Sequence, residues 1–213
     1  MKIALLGGTG NLGKGLAIRL AHSGYNVVVG SRDKNKATRK AKEYLNVVKN
    51  GKIGAEDNSE AALKCEIVII TVPWEHSLKL VQDLKLELEG KIVISPVVPL
   101  KRFGNYFIYD RPKGGSAAEE IARILRKSRI VSAYHTLPSR KISTLQKLPN
   151  WDVPICGDDD DSKKIVFEIT KKMGFNPLDA GPLSNSYLVE ALTPLILNLC
   201  SNNKLEGLGV KFI

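Results

Sequence analysis

A short apolar run, Lys2–Leu6, passes directly into Gly7-Gly8-Thr9-Gly10-Asn11-Leu12-Gly13. Apolar residues then recur at helical spacing (Leu12, Leu16, Ala17, Leu20, Ala21) as far as Ser23. Gly8, Gly10 and Gly13 fit the spacing GxGxxG. Alone the pattern is weak, because glycine-rich turns are common; between a strand and a helix it restricts the fold sharply. One glycine permits a tight turn, the next lets backbone approach a pyrophosphate, and the third lets the helix pack on the strand. The first-turn amides, Asn11 and Leu12 among them, then point at an anion with the helix dipole behind them.

The second strand, Asn26–Gly30, ends on Ser31 and Arg32, where NAD sites carry an acid that accepts from the ribose hydroxyls. A carboxylate there would repel a phosphate dianion. Ser31 offers a hydroxyl and Arg32 a planar fork of donors, and Lys36 lies one helical turn further on. With Asp33 as N-cap of the next helix, Arg32 and Lys36 can face one anion, the 2′-phosphate of NADP rather than the bare ribose of NAD.

The remaining pattern alternates. Helical stretches Asp33–Leu45, Asn58–Lys64 and Glu75–Leu84 separate strand candidates Lys52–Ala55, Glu66–Thr71 and Lys91–Ser95. Strands that read as unbroken apolar runs are covered on both faces, so the fold class is α/β, a Rossmann-type doubly wound, mostly parallel sheet. Pro96 to Gly115, with its prolines, glycines and aromatics, reads as an irregular excursion. A helix over Ser116–Lys127 and strand Arg129–Tyr134 follow, then strand Trp151–Cys156, helix Asp161–Met173, strand Asn176–Asp179 and an apolar helix Ser184–Cys200. The tail GLGVKFI is hydrophobic enough to dock against something.

Charge and composition exclude several classes. Lys and Arg number 32 against 22 Asp and Glu, a formal net charge of +10. Such an excess favours anionic partners, but the basic residues are dispersed and no stacking signature or basic arm accompanies them, so nucleic acid is not expected. Cys65, Cys156 and Cys200 lack the paired spacing of a metal or redox site and read as reduced residues of a cytoplasmic protein. No apolar run reaches the roughly 18 residues of a membrane span. The acidic run GDDDDSK is a helix start favoured by the macrodipole rather than a metal site.

In a doubly wound sheet, ligands lie along the carboxyl ends of the strands. The segments leaving those ends are TVPWEH (Thr71–His76), SPVVP (Ser95–Pro99) and AYHTLP (Ala133–Pro138), each with a proline, Pro73 in the first, that fixes backbone direction beside a cofactor. None supplies a Ser-His-Asp triad or a carboxylate pair, and His76 and His135 stand alone. No catalytic acid, base or nucleophile is assigned. That suits hydride exchange between two cofactors, where the rings carry the chemistry and the protein aligns them.

The strings GGTGNLGKGLA, VVGSR, TVPWEH, SPVVPL, SAYHTLP, WDVPICGDDDDSKK and PLDAGPLSNSYLVEALTPLILNL resemble the archaeal coenzyme F420-dependent NADP oxidoreductase family along nearly the whole chain and in matching order. The resemblance implies a Rossmann domain over residues 1–140 and a smaller C-terminal part over 141–213 that completes the deazaflavin site and the contacts of a homodimer. It implies reversible hydride transfer between NADP(H) and coenzyme F420, an 8-hydroxy-5-deazaflavin co-substrate. It places Thr9 to Leu12 on the pyrophosphate and Ser31, Arg32 and Lys36 on the 2′-phosphate. Val72, Val98 and Leu137 would line the ribose and nicotinamide, with Thr9 also near that ring. Trp74, His135 and Leu208 are candidates for the deazaflavin pocket. The residues themselves leave two alternatives open: an NADP-dependent dehydrogenase of a small carbonyl or imine, and a non-enzymatic NADP-sensing module.

Overall fold

The computed structural model describes residues 1–213. Its backbone is set by an eight-stranded sheet in the order β10-β9-β8-β5-β4-β1-β2-β3. The strands are β1 (Lys2–Leu6), β2 (Asn26–Ser31), β3 (Lys52–Asp57), β4 (Ile67–Ile70), β5 (Ile92–Ser95), β8 (Arg129–Ser132), β9 (Asp152–Gly157) and β10 (Asn176–Asp179). From β3 to β8 every pairing is parallel; β9 then runs antiparallel to β8, with β10 parallel to β9. The two strands contributed by residues beyond 150 thus extend the same sheet.

Period-two alternation explains how one strand feeds two cores. On β1, Ile3 and Leu5 join a core under α1 (Asn11–His22), α2 (Lys34–Val48) and α8 (Asp160–Lys172), while Ala4 and Leu6 join another under α3 (Asn58–Leu63), α4 (Trp74–Asp83) and α6 (Ala117–Ile124). β4, Ile-Val-Ile-Ile, is buried throughout, as a central parallel strand must be. Short helices α5 (Lys85–Leu88) and α7 (Ser139–Ile142) fill connections, and α9 (Ser186–Asn202) follows a tight helical turn over Leu183–Asn185. No helix is long and apolar enough to cross a membrane.

Helix starts follow their capping chemistry. The Asp33 carboxylate accepts from the amides of Asn35 and Lys36 at 2.9 and 3.1 Å. Asp159, within the acidic run, accepts from Ser162 N–H at 2.8 Å, and Asp160 and Asp161 occupy the first turn of α8. No group of His, Cys, Asp and Glu is placed to hold a metal.

Three expectations are corrected. The stretch Pro96–Gly115 is not irregular: β6 (Leu100–Phe103) and β7 (Tyr106–Tyr109) form an antiparallel hairpin about Gly104-Asn105. The one local cue is the Gly-Asn pair, a hairpin-turn dipeptide, but Leu-Lys-Arg-Phe before it and Tyr-Phe-Ile-Tyr after it lack the period-two alternation that would mark two strands. The hairpin docks on α9 through Asn198, whose side-chain amide accepts from Phe107 N–H at 2.8 Å and donates to Phe107 C=O at 2.7 Å. The strand expected to reach Tyr134 stops at Ser132, because Tyr134 takes a left-handed φ of 72° that no strand tolerates. The helix expected to reach Lys127 ends at Ile124.

The hydrophobic tail does dock. Asp152 N–H donates to Val210 C=O at 2.8 Å, and the Asp152 carboxylate accepts from Phe212 N–H at 2.7 Å and Lys211 Nζ at 2.8 Å. These contacts hold the carboxyl of Asp152 down at about 2, against the burial that alone would raise it.

Candidate functional site

The strand order reverses between β1 and β4, the position where open parallel sheets leave a crevice at their carboxyl ends. A cleft of about 660 Å³ opens there. It is lined by Gly10, Asn11 and Leu12 after β1, by Val72, Pro73 and Trp74 after β4, by Val98 after β5 and by His135 and Leu137 after β8. The hairpin adds Leu100, α9 adds Thr193, Ile196, Leu197 and Cys200, and the tail adds Leu205–Leu208. The volume and apolar lining are those of a small-molecule site.

The glycine turn is built for close approach. A Cβ on Gly13 would lie 2.6 Å from the Gly8 Cα, so helix and turn can meet only without one. Gly10 differs: a Cβ there would meet nothing nearer than Gly7 O at 3.9 Å, and its φ of −84° suits any residue. Packing within the chain gives no reason for glycine at position 10. The space a side chain would fill opens onto the cleft, which fits backbone approach by a ligand. Helix α1 carries no side-chain cap and no acid in its first turn, so its leading N–H groups and dipole are free for an anion.

Two side chains hold this turn that sequence reasoning missed. The buried Tyr44 hydroxyl donates to Gly8 C=O at 3.2 Å, burial having pushed its pKa up to about 12. Gly7 N–H donates to the Asn58 side-chain oxygen at 3.2 Å. Neither could be found from local pattern, because Tyr44 reads as one more apolar position of α2 and Asn58 as a helix start. Gly8 N–H reaches Gly30 C=O at 2.9 Å, which brings the end of β2 beside the turn.

Gly8, Thr9, Ser31, Arg32 and Lys36 do not line the main cleft. Ser31 is buried, its hydroxyl accepting from Asp33 N–H at 3.2 Å. Arg32 and Lys36 are exposed and take part in no ion pair, whereas neighbouring Lys34 is bound to Glu56 at 2.6 Å. The nearest acid, Asp33, is committed to capping α2. Two unpaired cations and a hydroxyl thus stand together past the glycine turn. His76 is exposed on α4 and away from the cleft.

His135 is a polar rather than a proton-transferring element. Burial drives its pKa down to about 3, so the ring is neutral at any physiological pH. Its Nε2 lies 3.4 Å from the Ser132 hydroxyl, and its backbone carbonyl accepts from Thr193 Oγ1 at 3.1 Å. The strained turn at Tyr134, pinned by a 3.1 Å contact between its hydroxyl and Thr170 Oγ1, delivers His135, Thr136 and Leu137 into the cleft. No carboxylate pair and no nucleophile with a base in reach stands along the lining. The cleft can hold and align flat apolar groups next to an anion-binding turn; it has no acid–base machinery of its own.

The sequence profile matching residues 2–99 is described as NADP oxidoreductase, coenzyme F420-dependent. An F420-dependent NADP reductase of Methanocaldococcus jannaschii is 36% identical over 99% of this chain and 97% of its own length. One from Methanothermobacter marburgensis is 34% identical with 99% and 97% covered. Among solved structures, a candidate F420-dependent NADP reductase from Arthrobacter sp. FB24 superposes with a TM-score of 0.86 at 22% identity, covering 100% of this chain and 99% of that one.

Proposed function

Because the chain belongs to the coenzyme F420-dependent NADP oxidoreductase family, we propose that it catalyses reversible hydride transfer between NADP(H) and coenzyme F420. The observation that supports this reading is one cleft of about 660 Å³, bordered by Gly10, Asn11 and Leu12 of the glycine turn and by apolar side chains of the β4, β5 and β8 exits, the hairpin, α9 and the tail. With both coenzymes bound, the chemistry would be transfer of a hydride between nicotinamide C4 and deazaflavin C5, balanced by one proton exchanged with solvent at the deazaflavin.

The protein's part is binding and alignment. The amides of Thr9 to Leu12 and the α1 dipole receive the pyrophosphate, and Ser31, Arg32 and Lys36 the 2′-phosphate. Val72, Val98 and Leu137 back the ribose and nicotinamide. Pro73, Trp74, His135 and Leu208 border the second ring, the neutral His135 offering a hydrogen bond without competing for a proton. Residues 141–213 complete that pocket through α9 and the tail. A net charge of +10 draws in both anionic coenzymes.

The working unit in this reading is a homodimer. Leu188, Leu195 and Leu199 are exposed along α9, beside exposed Phe103, Tyr106 and Ile108 of the hairpin. Leu188, Leu195 and Leu199 recur along α9 at spacings of seven and four residues and so share one helix face, and a two-fold pairing would cover that face in both copies at once. Leu195→Asp is expected to give a monomer by light scattering; an unchanged mass would remove α9 from the interface. The three free cysteines suit a reducing, cytoplasmic setting.

Mixing NADPH with oxidised deazaflavin and following its visible absorbance tests the activity. Rapid bleaching with equimolar NADP⁺ formation is expected. Binding of NADPH without bleaching, or oxidation only by a small carbonyl or imine, would refute it.

A further inference from the structure

Glu190, on α9, is fully buried, and no cation pairs with it. Its Oε2 accepts from Ala117 N–H at 3.0 Å and from the Tyr109 hydroxyl at 2.7 Å, and its Oε1 accepts from Ala118 N–H at 3.1 Å. One carboxylate thereby ties three separate elements: α9, the first turn of α6 and strand β7 of the hairpin. Tyr109 stands opposite Leu100 in the hairpin register, and Leu100 lines the cleft. On the α9 side, Thr193 lies three residues beyond Glu190 and Ile196 and Leu197 follow one turn later, all on the cleft. The wall made by the hairpin and α9 is therefore positioned from a point outside the cleft.

We propose that Glu190 is a positioning residue for the second coenzyme: its carboxylate fastens the hairpin and α9 to the start of α6, and so sets the width of the cleft where the deazaflavin ring packs. The proposal rests on the hydride-transfer reading above and adds a residue that touches neither ring.

The energetics separate this role from simple stabilisation. Burial lifts the Glu190 carboxyl to about 7, in spite of its three donors. A raised acid contributes its full stability below its ordinary value of 4.5, and that contribution is lost as pH rises through about 7. At neutral and higher pH the chain thus keeps a buried anion at a cost to stability, and what the anion supplies is a three-way anchor no neutral side chain of that shape reproduces. A glutamine has one acceptor oxygen and turns an NH₂ toward either the helix amides or Tyr109. The titratable groups around the carboxylate are Tyr109 and Arg111 on the hairpin side, Glu119 on α6 and Cys156 on β9. Arg111 is held over the Tyr187 ring at 4.0 Å and leaves Glu190 without a counter-ion.

The test uses the full chain and the variants Glu190→Gln and Tyr109→Phe, the second cutting only the hairpin limb. With NADPH saturating, KM for deazaflavin is expected to rise about 5- to 20-fold in Glu190→Gln and less in Tyr109→Phe, as charge-assisted hydrogen bonds are lost. NADPH affinity, read by fluorescence titration, is expected to stay within about twofold, because the glycine turn lies outside the anchored wall. Wild-type KM should climb as pH falls below about 7, and Glu190→Gln should flatten that profile. A KM unchanged in both variants, or an NADPH affinity that falls as much as the deazaflavin affinity, would overturn the proposal. Trypsin cleavage at Lys101 and Arg102 of the hairpin reports the anchor without any coenzyme. Faster cutting in both variants is expected, and wild-type cutting rates would refute the anchor even if the protein proved to act on another substrate. Should Glu190→Gln fail to fold, Tyr109→Phe decides by the same readouts.

Discussion

Replacing Gly10 by alanine distinguishes a glycine kept for a ligand from one kept for the fold. The added methyl would meet no atom closer than 3.9 Å, and φ of −84° is ordinary for alanine. Relief of chain entropy in the unfolded state favours alanine by about 0.4–1 kcal/mol. Against it, alanine is a poorer N-cap than glycine by a similar amount. The two nearly cancel, so stability should change by less than about 0.5 kcal/mol. Binding should not be spared. A methyl in the path of the pyrophosphate pushes its oxygens away from the first-turn amides of α1, weakening charge-assisted bonds worth about 1.5–3 kcal/mol each. Losing the equivalent of one gives about a 10- to 150-fold weaker NADPH affinity. Thermal melting and NADPH fluorescence titration measure the two quantities on one sample. The contrasting variant is Gly13→Ala, whose methyl would sit 2.6 Å from the Gly8 Cα and should lower stability outright. Wild-type NADPH affinity in Gly10→Ala would mean that the pyrophosphate does not pass there, and the glycine-turn assignment would fall.

Arg32→Ala should weaken NADPH by about 1–2 kcal/mol, since the guanidinium is exposed and Lys36 remains, and leave NADH unaffected; parallel titrations of both dinucleotides check it. Tyr44→Phe removes the support under Gly8 C=O and should cost about 0.5–1.5 kcal/mol of stability by denaturant unfolding, with a smaller loss of NADPH affinity. Asp152→Asn should release the tail. A depressed carboxyl contributes stability above its ordinary value of 3.8 that is lost as pH falls through about 2, so the melting-temperature gap between wild type and variant should be full at pH 6 and shrink toward pH 2. A gap independent of pH would contradict the ion pair with Lys211.

The features legible beforehand share a physical trait: each is carried by a few adjacent residues. Lys2–Leu6 into the glycine turn into α1 is a local sequence of apolar run, permitted sterics and helical spacing, and it appears as read. Asp33 caps its helix because a short carboxylate satisfies amides two and three residues on, and the acidic run does open a helix, α8. The residues Val72, Trp74, Val98, His135 and Leu137 converge because strands of one parallel sheet deliver their following segments to one edge. What escaped were contacts between distant segments. The hairpin's strands carry no alternation to mark them, its seat on α9 depends on Asn198 some 90 residues later, and Tyr44 and Asn58 look structural until the turn is seen resting on them.

Sequence alone, then, determined the strand–glycine–helix unit, the cations after the second strand, and a covered parallel sheet, because sterics, charge and periodicity act over a few residues. Only the tertiary structure decided that β9 turns antiparallel to β8, that Glu190 binds three elements together, that His135 is neutral, and that Asp152 holds the chain's end. Those outcomes depend on burial and on long-range pairing, and the desolvation that shifts a proton or anchors a wall exists only once the chain has closed around it.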